Sequence, residues 1–209
     1  MEDKNVIPTL DMHGFREEQF AGKKELLFNE ILGEKIIEKP HKHDFFIIIL
    51  FDHGSGVHSI DSVDYSIADQ EVHVLFPEQI HKWHIAAGSK GYQLMIEKSF
   101  LEQFAPAFRY SFTNYQNHPV IKLSKEAFEK LLYEFNAIRD ELLDPQPVNQ
   151  LISARAAVIA ALVSKEAEFD IEEFKVYQTQ PRLAKFNWLI DKFYKNQKSI
   201  SFYAEQLNI

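Results

Sequence analysis

The strongest fold signal in this sequence is the run Phe45-Phe46-Ile47-Ile48-Ile49-Leu50-Phe51. Successive side chains of a β-strand point to opposite faces, so a strand that is apolar at every position must have both faces covered. We therefore predict a central strand here. No apolar run approaches the roughly eighteen residues that a membrane-spanning helix needs, and the N-terminus does not have the basic and apolar pattern of a leader peptide.

Short apolar or alternating runs flank this strand from Val6 to about Lys98, and turn residues separate them in the rhythm of an antiparallel sandwich or barrel. The predicted strands lie near Leu26 to Ile31, Ile36 to His41, Phe45 to Phe51, Gly56 to Ile60, Val63 to Ile67, Val72 to Phe76, Ile80 to Ile85 and Tyr92 to Glu97.

Beyond Ser99 the apolar period changes to steps of three and four residues, which is typical of helices. Ser124 is placed to cap the first long helix, and the Asp144-Pro145-Gln146-Pro147 segment stops it. A second helix is predicted from about Val148 to Glu166. The two helices should form an antiparallel hairpin, and we expect part of its apolar stripe to remain exposed for a second copy of the chain.

Two further helices are predicted after Pro181, one from Arg182 to Tyr194 and one that Ser199 caps and Asn208 ends. The last helix is too short to stay folded without partners, so we expect its packing partners to follow Ile209.

The formal net charge of −8 is unevenly distributed along the chain. From Arg182 onward five basic residues stand against two acidic ones, which gives this segment +3 and leaves −11 on residues 1–181. Because an acidic body repels phosphate, contact with nucleic acid is expected only from this last segment, with Lys195 and Lys198 as candidates. The absence of cysteine excludes disulfides and thiolate sites and fits a cytoplasmic protein.

Seven of the nine histidines fall between residues 41 and 84. His41 and His43 are two residues apart on a predicted strand and therefore share a face, and His81 is the obvious third member of a nitrogen ligand set. The other four histidines of this segment are predicted on turns or outward strand faces. They are His53, His58, His73 and His84.

Three segments together resemble AraC/XylS-family transcriptional regulators. Two of them look like the two cupin motifs of the family's N-terminal domain. The first is Pro40-His41-Lys42-His43 followed by Gly54-Ser55-Gly56, and the second is Phe76-Pro77 followed by His81 and Trp83. The stretch from Ser199 to Ile209 resembles the first helix of the family's first helix-turn-helix unit. Glu78 stands where the second cupin motif commonly has glycine.

The resemblance implies a mainly β plus α fold with three parts. Residues 1–118 would form a cupin-like antiparallel β-barrel, or jelly roll, residues 119–178 a dimerising helical hairpin, and residues 179–209 the incomplete beginning of a DNA-binding helix-turn-helix domain. It also implies a non-enzymatic regulator that senses a small-molecule effector, for which a sugar is one candidate class, and forms a homodimer. Promoter DNA would bind only the full-length protein, and neither a membrane partner nor a cofactor is expected.

Six residues are candidates for binding the effector, because small-molecule pockets are mainly apolar and aromatic with a few polar groups. They are His41, His43, Phe46, His81, Trp83 and Tyr92. His41, His43 and His81 are also candidate ligands of a divalent metal, but Phe46, Ile47 and Ile48 occupy the places where metal-dependent cupins usually carry a glutamate. The alternative functions are therefore a metal-dependent cupin enzyme, an oxygenase or isomerase, and a carbohydrate-binding cupin.

Overall fold

The computed structural model describes residues 7–12, 21–22, 25–110, 112–171, 186, 189–190 and 192–207. The strands in this part are β1 (Thr9–Leu10), β2 (Ala21–Gly22), β3 (Leu26–Leu32), β4 (Lys35–His43), β5 (Phe46–His53), β6 (Gly56–Ile60), β7 (Val63–Ser66), β8 (Glu71–Leu75), β9 (His81–Ile85), β10 (Lys90–Ile96) and β11 (Val120–Lys122). The helices are α1 (Lys98–Phe104), a 3₁₀ turn (Ala105–Ala107), α2 (Phe112–Asn117), α3 (Lys125–Leu143), α4 (Asn149–Asp170) and α5 (Ile200–Leu207).

The strands form two mainly antiparallel sheets. One sheet has the order β1-β4-β9-β6-β7, and the other has the order β11-β8-β5-β10-β3-β2. β5 lies between β8 and β10, which confirms the predicted central strand. The result is the mainly β jelly roll that the sequence predicts, with the two sheets not closed into one barrel.

The side chains of β5 alternate between two apolar cores. Phe46, Ile48 and Leu50 belong to the core between the six-stranded sheet and the helices. Ile47, Ile49 and Phe51 belong to the core between the two sheets. Each fully buried side chain of this size contributes roughly 1.5–3 kcal/mol, so this one strand stabilises both layers of the protein.

The predicted strands are all present, with ends that differ by a few residues, but several short elements were not predicted. These are β1, β2, β11, α1, the 3₁₀ turn and α2. Two or three residues carry no measurable period, so the short strands exist only through their pairing, as β11 does with β8. α1 buries Phe100, Leu101 and Phe104 against the helix side of the sheet.

The helical hairpin is confirmed at the predicted place. Ser124 caps α3, because its side chain accepts the Ala127 N–H at 3.2 Å. α4 runs to Asp170, four residues past the predicted end at Glu166. Most of the α3 apolar stripe packs against the chain's own core, with Leu131 fully buried, and only part of the hairpin's apolar surface is exposed.

One polar node joins the hairpin to the rest of the fold. The Ser164 hydroxyl of α4 accepts the Arg109 N–H at 3.1 Å and lies 2.7 Å from the Tyr115 hydroxyl of α2. It also donates to the Ala160 carbonyl at 2.7 Å. Burial raises the pKa of Tyr115, so its hydroxyl stays protonated and available for this bond.

The C-terminal helices are described only in part. The predicted helix from Arg182 to Tyr194 lies mostly outside the described residues, as does Asn208. α5 forms where it was predicted, and Phe202 of α5 contacts Phe193 with ring centroids 5.2 Å apart. None of the described helices is long and apolar enough to cross a membrane.

Candidate functional site

A cavity of about 460 Å³ lies between the two sheets. This volume is in the range of small-molecule sites. The lining residues are Pro8, Leu10, Asn29, Ile31, Lys35, Ile37, Lys39, His41, His43, Ile47, His81, Trp83, Gln93 and Met95. Apolar and polar side chains contribute in similar numbers, so the cavity offers both contact area and specific hydrogen bonds.

β4 supplies much of one wall because its alternate side chains point inward. Lys35, Lys39 and His43 line the cavity, whereas Ile36 points outward and is 49 % exposed. β9 pairs beside it, with His41 opposite His81 in the register. Strand pairing therefore brings together histidines that are 40 residues apart in the chain.

The structure brings four of the six predicted site residues together and separates the other two. His41, His43, His81 and Trp83 line the cavity. Phe46 and Tyr92 are absent from its lining and lie in the core on the helix side of the six-stranded sheet. Their positions follow from strand parity, since both share a face with other helix-facing residues of β5 and β10.

The prediction for the remaining four histidines is right for two of them and wrong for two. His53 and His84 are exposed. His58 and His73, which were expected on turns or outward faces, are fully buried between the sheets. A buried polar ring needs hydrogen-bond partners, and each of these two histidines has another histidine as its partner.

Sequence reasoning also missed Lys35, Lys39, Asn29 and Gln93 as cavity residues. The two lysines have the same strand parity as His41, so the period-two pattern of β4 contains the signal that would have found them. Asn29 and Gln93 could be assigned only from tertiary structure, because they lie on β3 and β10 and face each other in the register.

A continuous row of hydrogen-bonded side chains leads away from the cavity. We call it the imidazole chain, and its members in order are His43, His81, His58, His73 and Glu71. The successive contacts are 2.8 Å, 3.0 Å, 2.9 Å and 2.8 Å long. All five side chains are buried, so the row is a polar path through an otherwise apolar core.

The acceptor at the end of the imidazole chain determines which ring nitrogens carry hydrogen. Glu71 Oε1 also accepts the Ala68 N–H at 2.8 Å, which makes it the acceptor of the His73 Nε2–H. For neutral rings, each donor then leaves an acceptor at the other nitrogen. His58 donates from Nδ1, His81 donates from Nδ1, and the His81 Nε2 lone pair accepts the Nε2–H of His43.

A separate contact determines which ring nitrogen of His41 carries hydrogen. Its Nδ1 lies 3.2 Å from the Lys39 carbonyl oxygen, which can only accept. A neutral His41 therefore carries its hydrogen on Nδ1 and leaves the lone pair on Nε2. The Nε2 lone pair of His41 is thus a histidine acceptor on the cavity wall, whereas that of His81 is used by His43.

Burial keeps these imidazoles neutral. Desolvation lowers the pKa of His43 to about 3, with a further contribution from nearby His41. Desolvation also lowers the pKa values of His58 and His81 well below the ordinary range, and their histidine neighbours act in the same direction. The pKa of His41 is lowered for the same main reason.

The histidine set also fits a divalent metal. One nitrogen from each of His41, His43 and His81 lies within 4.8 Å of the others, and all three side chains are buried. Neutral imidazoles are the form that binds metal. The buried apolar side chains of Phe46, Ile47 and Ile48 supply no fourth ligand at the places where metal-dependent cupins have glutamate.

The fold and the cavity define a cupin-type domain for binding small molecules. The model of the AraC-like ligand binding domain family matches residues 36–152, which is more than half of the chain. The chain therefore belongs to this family, and its function is that of a ligand-sensing regulatory domain. Comparison with curated protein sequences gave no match.

Several solved structures are similar to this one. The AraC-like transcriptional activator CuxR is 12 % identical, with a TM-score of 0.48 over 88 % of this chain and 67 % of that one. ToxT K231A from Vibrio cholerae is 10 % identical, with a TM-score of 0.47 over 90 % of this chain and 72 % of that one. A cupin superfamily protein from Desulfitobacterium hafniense is 12 % identical, with a TM-score of 0.33 over 37 % and 72 %.

Proposed function

We propose that the chain is the effector-sensing and dimerising part of a DNA-binding transcription regulator, with no enzymatic activity of its own. The observation that carries the proposal is the cavity between the sheets, which combines four histidine or tryptophan side chains with apolar walls. Neutral imidazoles, an indole N–H and amides orient a small molecule by hydrogen bonds, while the aliphatic side chains contribute contact area.

The imidazole chain supports a route by which the cavity would influence the helical hairpin. Its far end, Glu71, lies on β8, where it pairs with Lys122 of β11. Two residues after β11, Ser124 caps α3, and its N–H donates to Glu166 of α4 at 2.8 Å. An effector that contacts His81 differently in two packing states of the hairpin would shift the population between them.

Filling the cavity is expected to abolish effector binding. In Ile37→Trp the indole would occupy space in the cavity, so a compound found by thermal-shift screening of the wild-type protein should no longer raise its melting temperature. Titration calorimetry on the same compound should show at least a tenfold weaker affinity, about 1.4 kcal/mol. Ile36→Trp is the matched control, because Ile36 is the neighbouring residue on the outer face of β4.

Equal loss of binding in both tryptophan variants would contradict a site in this cavity.

Metal analysis of protein purified without chelator or metal-affinity tag separates the effector proposal from the metal-dependent cupin alternative. We expect no stoichiometric metal in the wild-type protein. Stoichiometric metal that disappears in the His41→Ala, His43→Ala double variant would favour the metal alternative and call for oxygenase and isomerase assays.

The remaining parts of the proposal concern the assembly. We assign residues 1–118 to sensing, 119–178 to dimerisation and 179–209 to the beginning of the DNA-binding domain, in a cytoplasmic protein. α5 and the +3 charge of the C-terminal segment support the last assignment, with Lys195 and Lys198 as phosphate contacts in the full-length regulator.

Disrupting the exposed apolar face of α4 is expected to convert a dimer into a monomer. Leu151, Val158 and Phe169 are 39 %, 44 % and 69 % exposed, and spacings of seven and eleven residues place them on one side of the helix. A charge buried at such an interface costs several kcal/mol, so Val158→Glu should sediment as a monomer. Val57→Glu, at a strand position that is 40 % exposed, should leave the dimer intact. A wild-type protein that is monomeric at high concentration would exclude this interface.

A further inference from the structure

The cavity lining includes hydrogen-bond donors that have no acceptor in the described protein. Trp83 Nε1 is a buried donor with no acceptor among the described residues. Lys35 and Lys39 add two ammonium groups at the exposed side of the cavity, and neither makes an ion pair with a residue in the described part of the chain. Three donor groups on the cavity lining therefore lack an acceptor from the described protein.

The charge of the cavity is opposite to that of the whole chain. The formal net charge is −8, yet no aspartate or glutamate among the described residues lines the cavity. Glu34 and Glu38 are next to the two lysines in the chain and all four residues are exposed, but only the lysines are among the lining residues. Because neither lysine makes an ion pair with a described carboxylate, the lysines favour a ligand that carries negative charge.

The other groups of the cavity favour a ligand that also donates hydrogen bonds. His41 presents a lone pair at Nε2, as its contact with the Lys39 carbonyl requires, whereas the Nε2 lone pair of His81 already accepts from His43. On the facing sheet, the Asn29 amide donates to Gln93 Oε1 at 3.3 Å, which leaves Asn29 Oδ1 to accept and Gln93 Nε2 to donate. Hydroxyl groups both donate and accept, so they match this mixed set.

We infer that the effector is a small organic acid that carries hydroxyl groups, with its carboxylate bound by Lys35, Lys39 and the Trp83 indole N–H and its hydroxyls bound by His41 and the Asn29–Gln93 pair. This inference rests on the proposed sensing function and narrows it. A neutral sugar would gain no charge attraction from the two lysines. An acid without hydroxyls would leave the His41 lone pair and the Asn29–Gln93 pair without ligand partners, and unmade buried hydrogen bonds reduce affinity.

Matched ligand pairs test the inference by calorimetry and thermal shift. The probes are galacturonate against galactose, mandelate against mandelamide, and phenylacetate as an acid without a hydroxyl. We expect a hydroxy acid to bind at least about tenfold more tightly than its neutral partner, and mandelate to bind more tightly than phenylacetate. Lys35→Gln and Lys39→Gln should each weaken binding of the acid by about two- to fivefold, the size expected for an exposed ion pair, and leave the weak binding of the neutral compound unchanged.

Lys82→Gln is the matched control, because Lys82 is an exposed lysine of β9 on the outer face of the same sheet. It should bind the acid as the wild-type protein does. Neutral compounds that bind as tightly as the acids, or lysine variants with unchanged affinity, would overturn the hydroxy-acid assignment and leave the sensing function intact. The sensing proposal fails as well if neither the acids nor the neutral compounds bind at millimolar concentration and no screened compound gives a thermal shift that Ile37→Trp removes.

Discussion

Lowering the pH from about 7.5 to about 5.5 is expected to reduce the free energy of unfolding by about 4 kcal/mol. The cause is the set of buried imidazoles at His43, His58 and His81, whose pKa values desolvation lowers in the folded protein. As the pH falls, each ring stays neutral in the folded protein but takes up a proton in the unfolded chain. Each ring therefore lowers the free energy of unfolding by up to about 1.4 kcal/mol per pH unit. The stabilisation is complete above the unfolded pKa of about 6.5 and is lost as the pH falls towards the folded pKa.

Urea denaturation across this pH range measures the effect. The double variant His53→Gln, His84→Gln is the control, because both side chains are exposed and their removal should leave the slope of stability against pH unchanged. A free energy of unfolding that is constant between these pH values would show that the buried rings are already protonated, or that protonated rings find partners in the folded state.

Gly56→Ala is expected to reduce the free energy of unfolding by roughly 3 kcal/mol or more. The φ angle of Gly56 is +125°, and a Cβ at this position would lie 2.0 Å from the carbonyl oxygen of His84. That oxygen belongs to β9, which pairs with β6 through Gly56 opposite Ile85. The clash is with backbone, so relief requires the two strands to separate at the sheet that carries His81.

Gly88→Ala separates steric clash from backbone strain. Gly88 also has a positive φ, +84°, but a Cβ there would meet no atom within 4 Å. The left-handed conformation alone costs an alanine roughly 1–2 kcal/mol, so Gly88→Ala should lose clearly less stability than Gly56→Ala in the same denaturant titration. Equal losses in the two variants would mean that the β6–β9 contact is not the source of the Gly56 effect.

The long elements could be predicted from sequence because their signals are local. The apolar parity of β5, the Ser124 cap and the three- and four-residue apolar spacing of α3 each involve neighbours in the chain. Short elements such as β11 have no such signal, since only pairing with β8 makes them strands. Sequence alternation also places His41 and His43 on one face without identifying the layer that covers it.

The sequence by itself determined the order of the elements, the central position of β5, the helical hairpin and the shared face of His41 and His43. Tertiary structure alone decided which face of each strand meets the cavity. It placed Phe46 and Tyr92 with the helices, and it buried His58 and His73 between the sheets. The physical reason is that parity is a property of one strand, whereas the partner of a face depends on register and sheet packing between residues far apart in the chain. The imidazole chain and the donor-rich cavity form only through this register and sheet packing.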